Sequence, residues 1–115
     1  MTYPTRTPIL TRGIGLTATI ADHIAIGYDG ALPTAGGQIA GVCEFGGDSG
    51  DYVSVTSLGL DHAVSGAAIP SVGLDLKVDA AGKFIPQGGA GTVVARSLST
   101  ASAADQPVAI EHVRN

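Results

Sequence analysis

Glycine and proline punctuate this chain so often that it can fold only as short pieces joined by turns. Together they make up 23 of 115 residues, 17 Gly and 6 Pro, a share of 20% against roughly 12% in average usage. Gly supplies the backbone angles that turns need and Pro ends helices, so the pattern favours strands and turns over long helices. One domain is the expectation at this length, because a chain near 115 residues buries only about two-thirds of its unfolded surface and has no margin for a second core.

What lies between the turns is β-like. Ile24 to Tyr28 is a short apolar run ended by Asp29-Gly30, and Ile39 to Phe45 is another, ended by Gly46-Gly47-Asp48-Ser49-Gly50. Tyr52 to Thr56 alternates apolar and polar residues, the period of a half-buried strand. Val72 to Val78 alternates again, with Leu74, Leu76 and Val78 on one face and Asp75 and Lys77 on the other. The turn Asp79 to Gly82 then leads into Lys83 to Ile85 and predicts a hairpin. Thr92 to Leu98 and Val108 to Val113 supply two more strands, with one helical turn expected at Ala101 to Ala104. The fold class that follows is all-β, a small barrel or sandwich of short hairpins with at most one short helix.

Residues 1–13 read differently. Thr2 to Arg12 combines Pro4 and Pro8 with β-branched residues, which keeps the backbone extended. An extended N-terminal arm (1–13) ahead of a β-rich domain (14–115) is the expected organisation. The two halves of that domain share an order of features: a Gly turn (Gly30, Gly82), a Pro (Pro33, Pro86), a Gly-rich loop (Gly36-Gly37, Gly88-Gly89), a strand, an acidic loop residue (Asp51, Asp105) and a final strand. The offset drifts from 52 to 54, so any repeat is degenerate.

Charge is sparse and unevenly placed. Charged residues are 14% of the chain and the net charge is -4. Arg6 and Arg12 make the arm basic, residues 13–76 hold seven acids and no Lys or Arg, and residues 77–115 come to +1. An acidic body repels phosphate, so no nucleic-acid partner is expected. No run reaches the roughly 18 apolar residues of a membrane span, and the N-terminus lacks the apolar block of a secretory signal. The single Cys43 excludes an intrachain disulfide and a multi-cysteine zinc site.

No catalytic constellation emerges. Gly47-Asp48-Ser49-Gly50 is similar to the nucleophile loop of trypsin-like proteases, but that mechanism needs a His beside the Ser and an Asp behind the His. His23 and Asp22 are adjacent on the chain and point apart in a strand, so a surface turn explains the string. His23, His62 and His112 have no metal spacing. Lys77 and Lys83 flank the hairpin rather than occupying its tip, unlike the modified lysine of lipoyl or biotinyl carriers. Cys43, within an apolar strand, reads as a small buried hydrophobe. No catalytic, cofactor or metal residue is assigned.

The order of several segments resembles the small head decoration (cement) proteins of tailed bacteriophages. They are Ile24 to Gly30, Gln38 to Cys43, Tyr52 to Val55, the hairpin Leu76 to Pro86, and Gly91 to Leu98 with Pro107 to Glu111. The resemblance covers roughly residues 24–113. It implies a non-enzymatic β-rich domain on the outside of the virion head, a homotrimer that binds the major capsid protein and locks its subunits together. It also implies that an N-terminal arm contacts the capsid; in this arm Tyr3, Arg6, Ile9, Leu10 and Arg12 are the candidate contacts, although Ile9-Leu10, Arg6 and Arg12 depart from the family's pattern. The rival readings are a β-rich adaptor or carbohydrate-binding module, a hydrolase using Ser49, and a carrier domain.

Overall fold

The computed structural model describes residues 7–113. Eight strands form one sheet: β1 Thr7–Gly15, β2 Ala25–Ile26, β3 Gly41–Cys43, β4 Tyr52–Val64, β5 Asp75–Val78, β6 Phe84–Pro86, β7 Ala95–Ser97 and β8 Pro107–His112. All pairings between strands are antiparallel, in the order β2-β3-β4-β8-β7-β5-β6, with β1 on the free flank of β4. The sheet curls until its ends approach, and the Ala25 N–H of β2 donates to the Gly82 carbonyl in the β5–β6 turn at 2.9 Å. The fold is all-β, a half-barrel, with no helix among the described residues.

The predicted hairpin forms as its alternation dictates. Lys77 pairs with Ile85 and Val78 with Phe84, and Leu76 and Val78 are fully buried. The strand begins at Asp75 rather than Val72, because Gly73 turns the chain with φ at +81°. Ala101 makes an antiparallel bridge with Ile69 instead of opening a helical turn.

β4 is the long element that the pattern understated. It runs 13 residues, and its burial changes phase: Val53 and Val55 are buried, then Thr56 and Ser57 together, then Asp61 to Ala63. Register shifts against β1 between Pro8, Leu10 and Thr11 cause this, with Gly59 at φ +102°. A bulge turns the face of a strand, so simple period two is lost across it.

The hydrogen bonds show that the chain is a tandem repeat. Ile20 and Gly47 exchange both backbone bonds, as do Ile69 and Ala101. The His23 N–H donates to Cys43 O and Cys43 N–H to Ile24 O; in the second half, Gly73 N–H donates to Ser97 O and Ser97 N–H to Leu74 O. Leu16 and Ser65 accept bonds from Gly50 and Asp105. Equivalent positions stand 49 or 50 residues apart before the Gly-rich loops and 54 or 55 after them, the difference going into the longer β5–β6 hairpin. Asp105 therefore matches Gly50, not Asp51, and both have positive φ, +63° and +96°. β4 closes the first unit and opens the second, so β1·β4 is the counterpart of β4·β8.

Two apolar clusters follow from this plan. The smaller holds Leu16, Ile20, Ile24, Ile26, Cys43, Val53 and Val55. The larger holds their second-unit counterparts Ile69, Leu76, Val108 and Ile110, adds Val78, Phe84 and Val94, and takes in Ala25, Ile39 and Val42 from the first unit. Those last three are the joint between the units. The counterparts of Ala25 and Val42 are Asp75 and Arg96, half-exposed and ion-paired at 3.2 Å. A polar outer face of this kind ends a repeat array.

Candidate interaction surface

β1 places the basic strand on the outside of the sheet. Thr7 to Gly15 pairs with Leu60 to Tyr52 along one edge, so this part of the arm has a partner strand within the molecule. Among the described residues, its other edge carries no strand. Such an edge presents unpaired N–H and C=O groups and can accept a further strand. Two bulges and Pro8 interrupt it, which are the devices that limit indiscriminate edge pairing.

Of the five arm residues, Tyr3 and Arg6 lie outside the described residues, and Ile9 is placed within β1 by its backbone alone. Leu10 is exposed, at 45% of its accessible surface. Arg12 is exposed, and its guanidinium lies 5.2 Å from the centre of the Tyr28 ring. That distance is within range for a cation–π contact, which pins both side chains. The Tyr52 ring lies over Gly13 and Gly15, and a Cβ at Gly15 would come within 2.8 Å of it. Only glycine leaves room for the ring to lie across the β1–β4 pair.

The polar groups singled out for chemistry are dispersed. Ser49 sits in an exposed turn closed by the Asp51 N–H donating to Asp48 O at 3.0 Å, and the Asp48 N–H donates to the Asp51 carboxylate at 2.8 Å. The Asp22 carboxylate accepts from the Gly46 N–H at 2.8 Å, so it fixes the loop. His23 instead meets His62, ring centres 4.3 Å apart. His112 is buried against Asp61, with Nε2 3.5 Å from Oδ2. This pair was visible only in principle: Asp61 and His112 lie on strands that prove to be neighbours, and nothing in their spacing says so. Ser57, which lines the same small cavity as His112, donates to the Ala40 carbonyl at 2.7 Å. Its proton is committed to the backbone. No group of three or more His, Cys, Asp or Glu residues placed to hold a metal ion occurs among the described residues.

Cys43 donates weakly to the Ala21 and Ile24 carbonyls, and burial pushes its thiol up from the ordinary value. A thiol so held is a poor nucleophile. The Lys83 ammonium is ion-paired with Asp105, and that hydrogen bond raises its pKa.

No protein-family model matches the chain, and no curated protein matches it. Among solved structures, the chain is similar to the head fiber gp8.5 N base of bacteriophage phi29, at a TM-score of 0.72 and 16% identity. The match covers 92% of this chain and 98% of that one. At that identity the likeness speaks for the fold: the chain has the fold of a phage head fiber base.

Proposed function

We propose that this chain is a non-enzymatic structural protein of a tailed-phage virion, a decoration protein that sits on the outer surface of the head and stabilises contacts between major capsid protein subunits. The observation that carries the reading is the likeness in fold to a phage head fiber base over nearly the whole of both chains. β1 supports the mode of attachment. Its outward edge and its exposed Leu10 and Arg12 suit strand addition to, or side-chain docking on, a capsid subunit, with main-chain bonds giving affinity and alternate side chains giving specificity. Trimers at three-fold positions multiply such contacts and raise avidity without making any one of them strong.

Purified protein mixed with heads from a phage lacking its gene tests this. Wild type binds, raises the temperature at which the heads break open, and runs in solution at three times its 11.4 kDa chain mass. Leu10→Asp with Arg12→Glu lowers occupancy by about ten-fold, the loss expected when a central contact is removed. Heads that bind no protein, or bind it without gaining stability, refute the proposal.

A further inference from the structure

The tandem repeat supplies an internal control for the loop that joins β3 to β4. In the first unit this loop is Glu44 to Tyr52; its counterpart runs from Leu98 to Pro107. Both are anchored alike, by the Ile20–Gly47 and Ile69–Ala101 bridges and by the bonds into Leu16 and Ser65. Their decoration differs. Phe45 is 68% exposed and Tyr52 81%, the most exposed large apolar side chains described, and between them stand Asp48 and Asp51 with Glu44 alongside. The counterpart loop has Ser99 where Phe45 stands, and Ser102, Ala103 and Ala104, with Asp105 held by Lys83. The fold therefore needs no ring at the Phe45 position, whereas Tyr52 also covers Gly13 and Gly15 of β1.

A soluble surface rarely displays large aromatic side chains in this way without a use for them. Phe45 and Tyr52 form no part of the walls of the small cavity that Tyr28, Ile39 and His112 line. The loop lies bonded along residues 16–22 with its rings exposed, suited to meeting another surface rather than to holding a small ligand. Six of the eight exposed large apolar side chains, from Leu10 to Leu60, fall in the first unit, against Val72 and Leu98 in the second. The first unit also has no Lys or Arg between residues 13 and 64, so the stretch carries net negative charge.

We propose that the Glu44–Tyr52 loop docks onto a basic protein surface, its two rings seated in an apolar depression and its carboxylates facing Lys or Arg side chains. Aromatic anchors surrounded by charge complementarity are the usual composition of a binding hot spot. The inference rests on the proposed role at the phage head and gives the partner surface its chemistry. It meets β1 only at Tyr52, which pairs with Gly15, whereas Phe45 stands outside that pairing.

Undecorated heads provide the probe. Phe45→Ser, which installs the counterpart residue, should weaken binding by about ten-fold while leaving the melting temperature unchanged, since the ring is mostly in solvent. Asp48→Asn should flatten the salt dependence of wild-type binding. A photo-crosslinking amino acid at position 45 should label the shell protein in a stretch of net positive charge. Binding unaffected by Phe45→Ser but abolished by Leu10→Asp overturns this inference and leaves the proposed function standing. Crosslinks only to a second copy, or none, also overturn it. Failure of wild type to bind heads removes the proposed function and this inference with it.

Discussion

The first and second units hang different side chains on one hydrogen-bond plan, and the difference separates what the fold requires from what has been added. Where both units agree, the backbone is in command: Gly30 and Gly82 turn with positive φ, and Gly50 and Asp105 do the same. Where they differ, function or termination is at work. The second unit gathers the larger cluster, including Phe84, and turns Asp75 and Arg96 outward. The first keeps a smaller cluster and carries most of the exposed apolar side chains. One unit is the foundation and cap; the other is the displayed face.

The largest test of that division is a pair of identical substitutions at equivalent sites. Ile20 and Ile69 occupy the same bridge in the two units, 3% and 0% exposed. Cutting a buried Ile to Ala costs about 2–5 kcal/mol, and more where the surroundings cannot relax. Ile69→Ala, in the cluster that spans the joint, should fall at the upper end. Ile20→Ala, in the smaller cluster, should fall at the lower end. Urea unfolding gives both values. Equal losses would mean that the two clusters are energetically one core and that the units share the load.

Much of this fold was legible in the sequence, and the part that was not has a physical cause. Alternation found the β5–β6 hairpin because one face of it is buried and the other wet, as Leu76 and Lys77 show. It found the start of β4 and missed the rest, because the extra residue Ser57, between the partners of Leu10 and Thr11, puts Thr56 and Ser57 on successive buried positions. The repeat was hinted at by Gly and Pro, yet matched one residue out at Asp105, since a positive φ can be taken by Gly in one unit and Asp in the other. The Phe45–Tyr52 loop escaped notice for a different reason. Its sequence shows two aromatics near acids, but their exposure needs the fold, and the dispensability of Phe45 needs the counterpart loop.

A smaller test concerns the one thiol. Cys43 and Ser97 are equivalent, and both donate to a carbonyl of the segment beneath, Ala21 O and Ser71 O. The fold holds a hydroxyl at that position in the second unit, but in the first the surrounding cluster is apolar. Cys43→Ser should cost about 1–3 kcal/mol, the range for a buried polar group in poorer company. Burial raises the thiol pKa, so the unfolded chain loses its proton first as pH passes 9.0 while the folded chain keeps its own. Stability falls as pH rises above that point. The serine variant lacks this slope. A native thiol that reacts at the rate of the unfolded chain would show that the first cluster opens readily.

The smallest expected effect lies at Asp105, where the second unit has added an ion pair to a turn that the first makes with Gly50. Asn tolerates positive φ as Asp does, so Asp105→Asn removes the charge and keeps the turn. The hydrogen bond from the Lys83 ammonium raises that group's pKa above 10.5. The stabilisation is therefore fully present below about pH 10.5 and disappears as pH rises through the higher folded value. The Asp105 side chain is 68% exposed and Lys83 31%, so solvent screening holds the pair below about 1 kcal/mol. The difference between wild type and variant, followed by urea unfolding, should shrink with added salt and vanish at high pH; Cys43 titrates in both proteins and cancels. A loss above 2 kcal/mol that ignores salt would make Asp105 part of the joint rather than decoration upon it, and would move the boundary between scaffold and surface drawn from the two loops.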